Sequence, residues 1–213
     1  GIFYERFLGS EHSAPLFASV RQASVLNLAH LYSFQEDHAQ HIAFLTQRLF
    51  EQLPSDCQLC GPAERELLWA ASMLHDIGVS VDYQDHHKHG AYLILNAGLP
   101  GYTHRELALI ALMTRYHRKG VPLFGELAPL MQPDDDRRLL QLSALLRLAE
   151  QLDRSRDGVV RDVQLIGGPD WLQLEMLVRG DSAVPLWAAE TQRPIFEEAF
   201  GRKLEFTVTP ILE

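Results

Sequence analysis

Apolar positions recur at helical spacing as far as about residue 156, and then change to strand-like alternation. Val20, Leu26, Leu28 and Leu31 mark a first helix from Ser19 to Tyr32. The stripe His38, His41, Ile42, Leu45 and Leu49 predicts a second, from about Gln35 to Leu53, and sets His41 within its apolar face. Gly61 and Pro62 open a third, with proline where its missing N–H costs least. Its inward face is Leu67, Leu68, Ala71, Leu74 and His75, with Gly78 as a C-terminal stop. Residues 79–85 read as a loop. His86, His87, Lys88, His89 and Gly90 then open a helix that runs through Tyr92, Ile94 and Leu95 to a stop near Gly98 and Pro100. Thr103 and Glu106 form a capping box for a helix with Leu107, Ile110, Ala111, Thr114 and His117 on one side. A loop with prolines at 122, 129 and 133 follows. Asp134, Asp135 and Asp136 then put negative charge where the dipole of the next helix favours it. That helix is strongly apolar and ends with Glu150 and Asp153.

After Gly158, Val159–Ile166 and Trp171–Val178 read as strands joined by Gly167, Gly168, Pro169 and Asp170. Leu172, Leu174, Met176 and Val178 alternate with Gln173 and Glu175, so one face is buried. A helix from about Leu186 to Phe200 follows, which Pro194 must kink or break. Leu204, Phe206 and Val208 make a third strand. The pattern gives a mainly α fold: a helical body over 19–156 and a small β-α-β appendage over 157–213, α+β in class. Residues 1–17 read as a short amphipathic helix (Phe3, Phe7, Leu8) and a loop.

Composition adds limits. In 213 residues, 46% hydrophobic and 22% charged content supports a sizeable core. No apolar run approaches the roughly 20 residues of a membrane span, and the opening lacks a signal peptide's basic-then-apolar order, so a cytoplasmic protein without membrane contact is expected. A net charge of −9 argues against a general nucleic-acid coat. Cys57 and Cys60 make one C-x-x-C, without the second pair that a tetrahedral zinc site needs.

The chemistry lies in the ends and inward faces of the helices. His75 beside Asp76, at the end of a core-facing helix, is costly unless both are compensated. His41, His86 or His87, His117, and Glu150 or Asp153 supply further metal-capable groups from other helices. Imidazole with carboxylate suits Mn, Fe, Zn or Ni, and Mg where carboxylates dominate. Such a divalent cation activates water toward phosphorus. Each group has a plainer role as well: His41 as a hydrogen-bonded core histidine, His117 as a helix-end residue, Asp153 as a partner of Arg154 or Arg156.

The order H…HD…H…H…D on successive helices resembles the HD-domain metal phosphohydrolases. More narrowly, "AASMLHDIG", "HHKHGAYLILNAGLPGYT", "LIALMTRYHRKG" and "LLRLAEQLDRS" resemble the C-terminal region of the exopolyphosphatase / guanosine-pentaphosphate phosphatase family across nearly all of the chain. The resemblance implies an HD-domain-like helical bundle that binds polyphosphate or a guanosine polyphosphate and forms a homodimer. It implies residues 1–18 as the end of a linker from an actin-like N-terminal half that carries the main phosphatase site. By the family pattern His41, His75, Asp76 and His117 are metal ligands, with His86 or the neighbouring His87 as the inserted histidine. Glu150 stands where the family usually has aspartate. His75 and Asp76 would be the catalytic pair if the domain acts alone as a phosphohydrolase; a vestigial site would leave binding and dimerisation only. Lys88, Arg115, Arg118, Lys119 and Arg147 gather about this cleft in an acidic chain and read as phosphate ligands, whereas Arg137 and Arg138 read as solvated helix-end cations.

Overall fold

The computed structural model describes residues 19–57 and 61–211. The helical body consists of α1 (Val20–Leu31), α2 (Glu36–Glu51), α3 (Pro62–Leu74), α4 (His86–Ala97), α5 (His104–Tyr116) and α6 (Asp135–Leu152). Then come β1 (Val160–Gly167), β2 (Trp171–Val178), α7 (Ala183–Glu190), α8 (Arg193–Phe200) and β3 (Lys203–Pro210). This is the expected helical bundle with a small β appendage. The segment read as a helix within residues 1–17, and Cys60, lie outside the described residues. Among the described residues no helix is long and apolar enough to cross a membrane.

Helix α6 is the axis of the bundle. Leu139, Leu142, Leu145, Leu146, Leu148 and Leu152 are all buried, as are Ser143, Ala144 and Ala149 between them. A helix apolar on every side belongs inside, and α6 touches α2, α3, α5, α7 and α8. Each fully buried leucine stabilises the fold by about 2 kcal/mol. The buried Gln141 donates its amide to the Ala199 carbonyl and ties α6 to α8.

Local signals set the ends of the helices. Thr103 Oγ1 accepts from the Glu106 amide, and Glu106 Oε2 accepts from the Thr103 amide at 2.8 Å, so α5 starts in a complete capping box. The single helix expected over Leu186–Phe200 is two. The chain turns at Thr191 and Gln192, and Pro194 falls in the first turn of α8, where it costs no hydrogen bond. Gly78 does not stop α3, which ends at Leu74. It lies inside a 3-10 turn, Ile77–Ser80, against the start of α4. A Cβ on Gly78 would lie 2.0 Å from the His86 carbonyl oxygen and 2.4 Å from the Gly90 nitrogen. The glycine is required for space, not for its dihedral angles. A second 3-10 turn, Gly125–Leu130, lies in the proline-containing loop.

In the sheet, β1 pairs antiparallel with β2, and β2 pairs parallel with β3. Leu172, Leu174, Met176 and Val178 all face the core. A register shift between Val160 and Asp162 resets the phase of β1, so that Val160, Val163 and Leu165 are its buried residues. Helix α2 holds the outer edge of β1. Arg48 makes a two-pronged ion pair with Asp162 at 2.7 and 3.1 Å, and Gln52 bridges the Val163 carbonyl and the Leu165 amide, both at 3.0 Å.

At the start of α6 the carboxylate of Asp135 is fully buried. It accepts from Arg105 Nε at 2.8 Å, from the Gln132 amide at 2.8 Å and from Arg138. Burial pushes this carboxyl up, but Arg105, the Gln132 amide and Arg138 outweigh it and hold it below its ordinary value. Arg138 is therefore a structural cation and not a solvated one. Asp135→Asn is expected to destabilise the fold by about 3 kcal/mol, because two arginines lose their buried partner. Since the folded carboxyl is depressed, this stability is complete above the ordinary carboxylate value near pH ~4 and is lost as pH falls through the lower folded value. Urea melts from neutral to acid pH should show a shallower acid limb in the variant; a limb of unchanged slope would refute the assignment.

Candidate metal centre

Five helices bring a side chain to one buried point. His38 comes from the first turn of α2, His75 and Asp76 follow α3, His86 opens α4, His117 follows α5, and Glu150 stands in the last turn of α6. Two groups of three ligand atoms, each within 4.8 Å of one another, result: His38, His75 and Asp76, and Asp76, His86 and His117. Asp76 belongs to both. Its Oδ1 is 3.1 Å from His86 Nε2 and 3.7 Å from His117 Nε2, and its Oδ2 is 3.7 Å from His75 Nε2. Glu150 Oε2 is 3.2 Å from His38 Nε2 and 3.1 Å from His75 Nε2.

The histidines share one device. His75 Nδ1 meets the Ser72 carbonyl at 2.7 Å, His86 Nδ1 the Tyr83 carbonyl at 2.9 Å and His117 Nδ1 the Thr114 carbonyl at 2.6 Å. In each case the acceptor is the carbonyl three residues back. A carbonyl only accepts, so each Nδ1 carries a proton, and each Nε2 faces the centre. His38 is held by a carboxylate instead, with Nδ1 2.7 Å from Asp153 Oδ2. Such outer partners are the usual support of metal-binding histidines, fixing both tautomer and ring orientation. His86 and His117 Nε2 stand 3.2 Å apart. In neutral rings with protonated Nδ1, both nitrogens present lone pairs, and the contact needs a positive charge.

His38 Nε2, His75 Nε2, Asp76 Oδ1 and Glu150 Oε2 are buried and make no hydrogen bond, although Glu150 Oε2 lies at ion-pair distance from His38 and His75, and Asp76 Oδ1 from His86 and His117. A polar atom left so costs about 1–3 kcal/mol. Four of them around one point fit a cation better than they fit each other. Four imidazoles with two carboxylates favour Mn, Fe, Zn or Ni over Mg.

Charges within the cluster are strongly coupled. Burial disfavours the His75 imidazolium, but Asp76 and Glu150 outweigh it and raise the group to about 9. Burial also opposes a raised His38, which Asp153 and Glu150 nevertheless sustain. Burial pushes the Asp76 and Glu150 carboxyls up, yet the surrounding histidines hold both well below the carboxylate range. His117 is lowered to about 3 by burial and by His75. Arg156 adds a fixed charge, with its guanidinium 2.5 Å from Asp76 Oδ2 and in contact with Gln35 Oε1.

The structure brings together His75, Asp76, His86, His117 and Glu150, and places the other expected residues elsewhere. His41 is not at the centre: its Nε2 bonds the Val160 carbonyl of β1 at 2.9 Å. His38 takes its place, because His38, Ile42, Leu45 and Leu49 follow one line along α2 and His41 lies to one side of it. Asp153 stands behind His38, and Glu150 supplies the inner carboxylate. His87 is buried beside the cluster, its ring 6.4 Å from that of His117; burial and Lys119 lower it to about 4. Arg147 is not available to a ligand. It is buried, with Nε on the Tyr116 carbonyl and an Nη on the Gly120 carbonyl, both at 2.5 Å. It satisfies carbonyls left open past the end of α5. Lys88 pairs with Asp85 at 2.8 Å, and Arg115 is exposed with its guanidinium 6.0 Å from the Tyr116 ring. Arg118 reaches the rim, 3.5 Å from His86 Nδ1, and the exposed Lys119 lies 3.9 Å from Asp85. His38 and Arg156 are the members that sequence reasoning passed over. For His38 the signal was its exact register with the leucines of α2; for Arg156 there was none.

Comparison with known proteins gives a family match over most of this chain. The family model described as Ppx/GppA phosphatase, domain III, matches residues 20–177. A guanosine-5'-triphosphate,3'-diphosphate pyrophosphatase of Vibrio parahaemolyticus serotype O3:K6 (strain RIMD 2210633) is 28% identical over 175 residues, which cover 81% of this chain and 34% of that protein. The chain spans about a third of the length of that curated relative.

Proposed function

Because the chain belongs to the Ppx/GppA phosphatase family, matching its domain III, we propose that it is an HD-type domain that binds phosphate chains at a divalent-metal centre. Its ligand is polyphosphate or a guanosine polyphosphate, the second in keeping with the name of the Vibrio relative. The observation that carries the reading is the set of four histidines with engaged Nδ1 atoms and Nε2 atoms converging on Asp76 and Glu150. His38, His75 and Glu150 would hold one cation, His86 and His117 a second, with Asp76 shared. A cation bound there neutralises phosphate oxygens and lowers the pKa of bound water. The chain's own residues do the rest. The carbonyl and carboxylate partners fix the imidazoles, burial of the cluster excludes bulk water, and Arg118 at the rim presents a cation to the incoming anion.

A second reading, hydrolysis by the domain alone, is favoured by the completeness of both triads: a site kept only for packing has no need of four buried polar atoms without a hydrogen bond. The two readings separate in one set of measurements. Metal content of the purified chain is determined after loading with Mn or Zn. Affinity for inorganic tripolyphosphate is then compared before and after chelation. Bound transition metal, and binding weakened by more than about tenfold, or ~1.4 kcal/mol, are expected once it is removed. A chain that takes up no metal, or binding indifferent to chelation, overturns the proposal. Chelator-sensitive release of phosphate from an aryl phosphate ester would assign catalysis to the domain itself.

A further inference from the structure

Beside the metal centre, between the end of α6 and α7, lies a cavity of ≈ 250 Å³. Glu150 forms one wall. Arg118, Lys119 and Arg154 line it, and Trp187 and Gln192 stand at its α7 side. The volume falls below the ~300–1,000 Å³ of pockets that enclose a whole drug-sized ligand, so this cavity takes part of a larger one.

The charges in it are not accounted for by the fold. The chain carries 28 acidic side chains against 19 Lys and Arg, so an arginine here has carboxylates in excess to choose from. Nevertheless Arg118 and Arg154 have no carboxylate partner among the described residues. Arg118 reaches only the His86 ring and, at 5.9 Å, the face of Tyr83; Arg154 donates only to Gln151 Oε1 at 3.2 Å. Lys119 is 70% exposed and holds Asp85 only at 3.9 Å. Three cations about one hollow are an anion site. Glu150 alone would repel an anion there. It faces His38 and His75, which offset its charge and turn the wall into the boundary with the metal centre.

Trp187 is the second feature. It is 65% exposed, whereas Ala188 and Ala189 beside it are buried against the bundle. A large ring left in water on the rim of a cationic hollow offers a flat face to a planar ligand. Arginine with an exposed aromatic ring is the combination that holds phosphorylated aromatic groups: guanidinium for phosphate oxygens, indole for stacking.

We propose that this cavity is a nucleotide subsite, in which Arg118, Lys119 and Arg154 hold the phosphates and Trp187 stacks on the base. The proposal rests on the reading that the neighbouring centre takes phosphate, and it selects a nucleoside polyphosphate over a bare phosphate chain. The stacking platform is Trp187, on α7, while the metal-capable residues all come from the helical body.

Affinities of the full chain for GTP, ATP and inorganic tripolyphosphate, measured by calorimetry in Mn²⁺ and again in EDTA, test it. Both nucleotides should bind about tenfold or more tightly than tripolyphosphate, the scale of one stacked base. Trp187→Ala should remove that advantage and leave tripolyphosphate binding as it was; Trp187→Phe should restore part of it. Arg118→Ala and Arg154→Ala should weaken all three ligands. Tripolyphosphate binding as tight as nucleotide binding, or a nucleotide advantage that survives Trp187→Ala, overturns the base subsite alone. Absence of all binding in both buffers overturns the phosphate reading with it.

Discussion

Asp76→Ala is expected to remove most of the bound metal, whereas His117→Ala should remove less. Asp76 is common to both triads. Its Oδ1 faces His86 and His117, and its Oδ2 faces His75 and Arg156. Without it His86 and His117 are left as two donors, and His38, His75 and Glu150 lose the carboxylate that joins the two groups. Elemental analysis after equal loading of wild type and both variants reads this directly. Equal metal content in all three proteins would sink the shared-carboxylate arrangement. The substitution also strands an imidazolium at His75 in a buried site and takes the carboxylate partner from the exposed Arg156. Breaking such a pair costs about 3 kcal/mol, or roughly 6–12 °C in a domain of this size. Asp76→Asn keeps the shape, and so separates loss of charge from loss of packing. In the wild type a chelator should lower the melting temperature, because ligand bound only by the folded state stabilises it. In Asp76→Ala the chelator should have a smaller effect.

Gly78→Ala should be nearly as damaging, for a different reason. The new methyl would sit 2.0 Å from the His86 carbonyl oxygen and 2.4 Å from the Gly90 nitrogen. Both are backbone atoms, which cannot rotate away as the tip of a side chain does. The 3-10 turn and the start of α4 must separate, at a cost of about 3 kcal/mol, and His86 withdraws from Asp76 as they do. Gly98→Ala is the control: nothing lies within 4 Å of its added Cβ, and its positive φ of 70° carries the strain, worth about 1 kcal/mol. Denaturant melts and metal titration on both variants check this. Equal stability of the two would mean that the Gly78 contact is not tight.

Much of this molecule is legible in its sequence, because its signals are local. The capping box at Thr103 and Glu106, the alternation of Leu172 to Val178 and the all-round apolar character of α6 each follow from spacing alone. Pro194 marks a break in the helix for the same reason. The site is legible where a costly residue stands at a helix end, as His75, Asp76 and His117 do. Legibility fails where the deciding contact lies far away in the chain. The edge of β1 claims His41, leaving His38 to face the centre, and no pattern within α2 reveals where that strand will lie. Arg147 has the look of a ligand cation one turn before Glu150, yet open carbonyls past α5 absorb it. Gly78 has the look of a helix stop, and only the close approach of α4 gives its purpose. Arg156 reaches Asp76 from a left-handed backbone position, with φ of 56°, which no neighbouring residue announces.

The contact between His38 and Asp153 joins residues 115 positions apart. The inner groups they flank, His38 Nε2 and Glu150 Oε2, bring the start of α2 to the end of α6. Closing a loop of that length is an entropic cost that local helix formation does not offset. The centre therefore forms only when the two ends of the helical body meet. A cation taken up there would act as a clasp on a loop that spans most of the helical body.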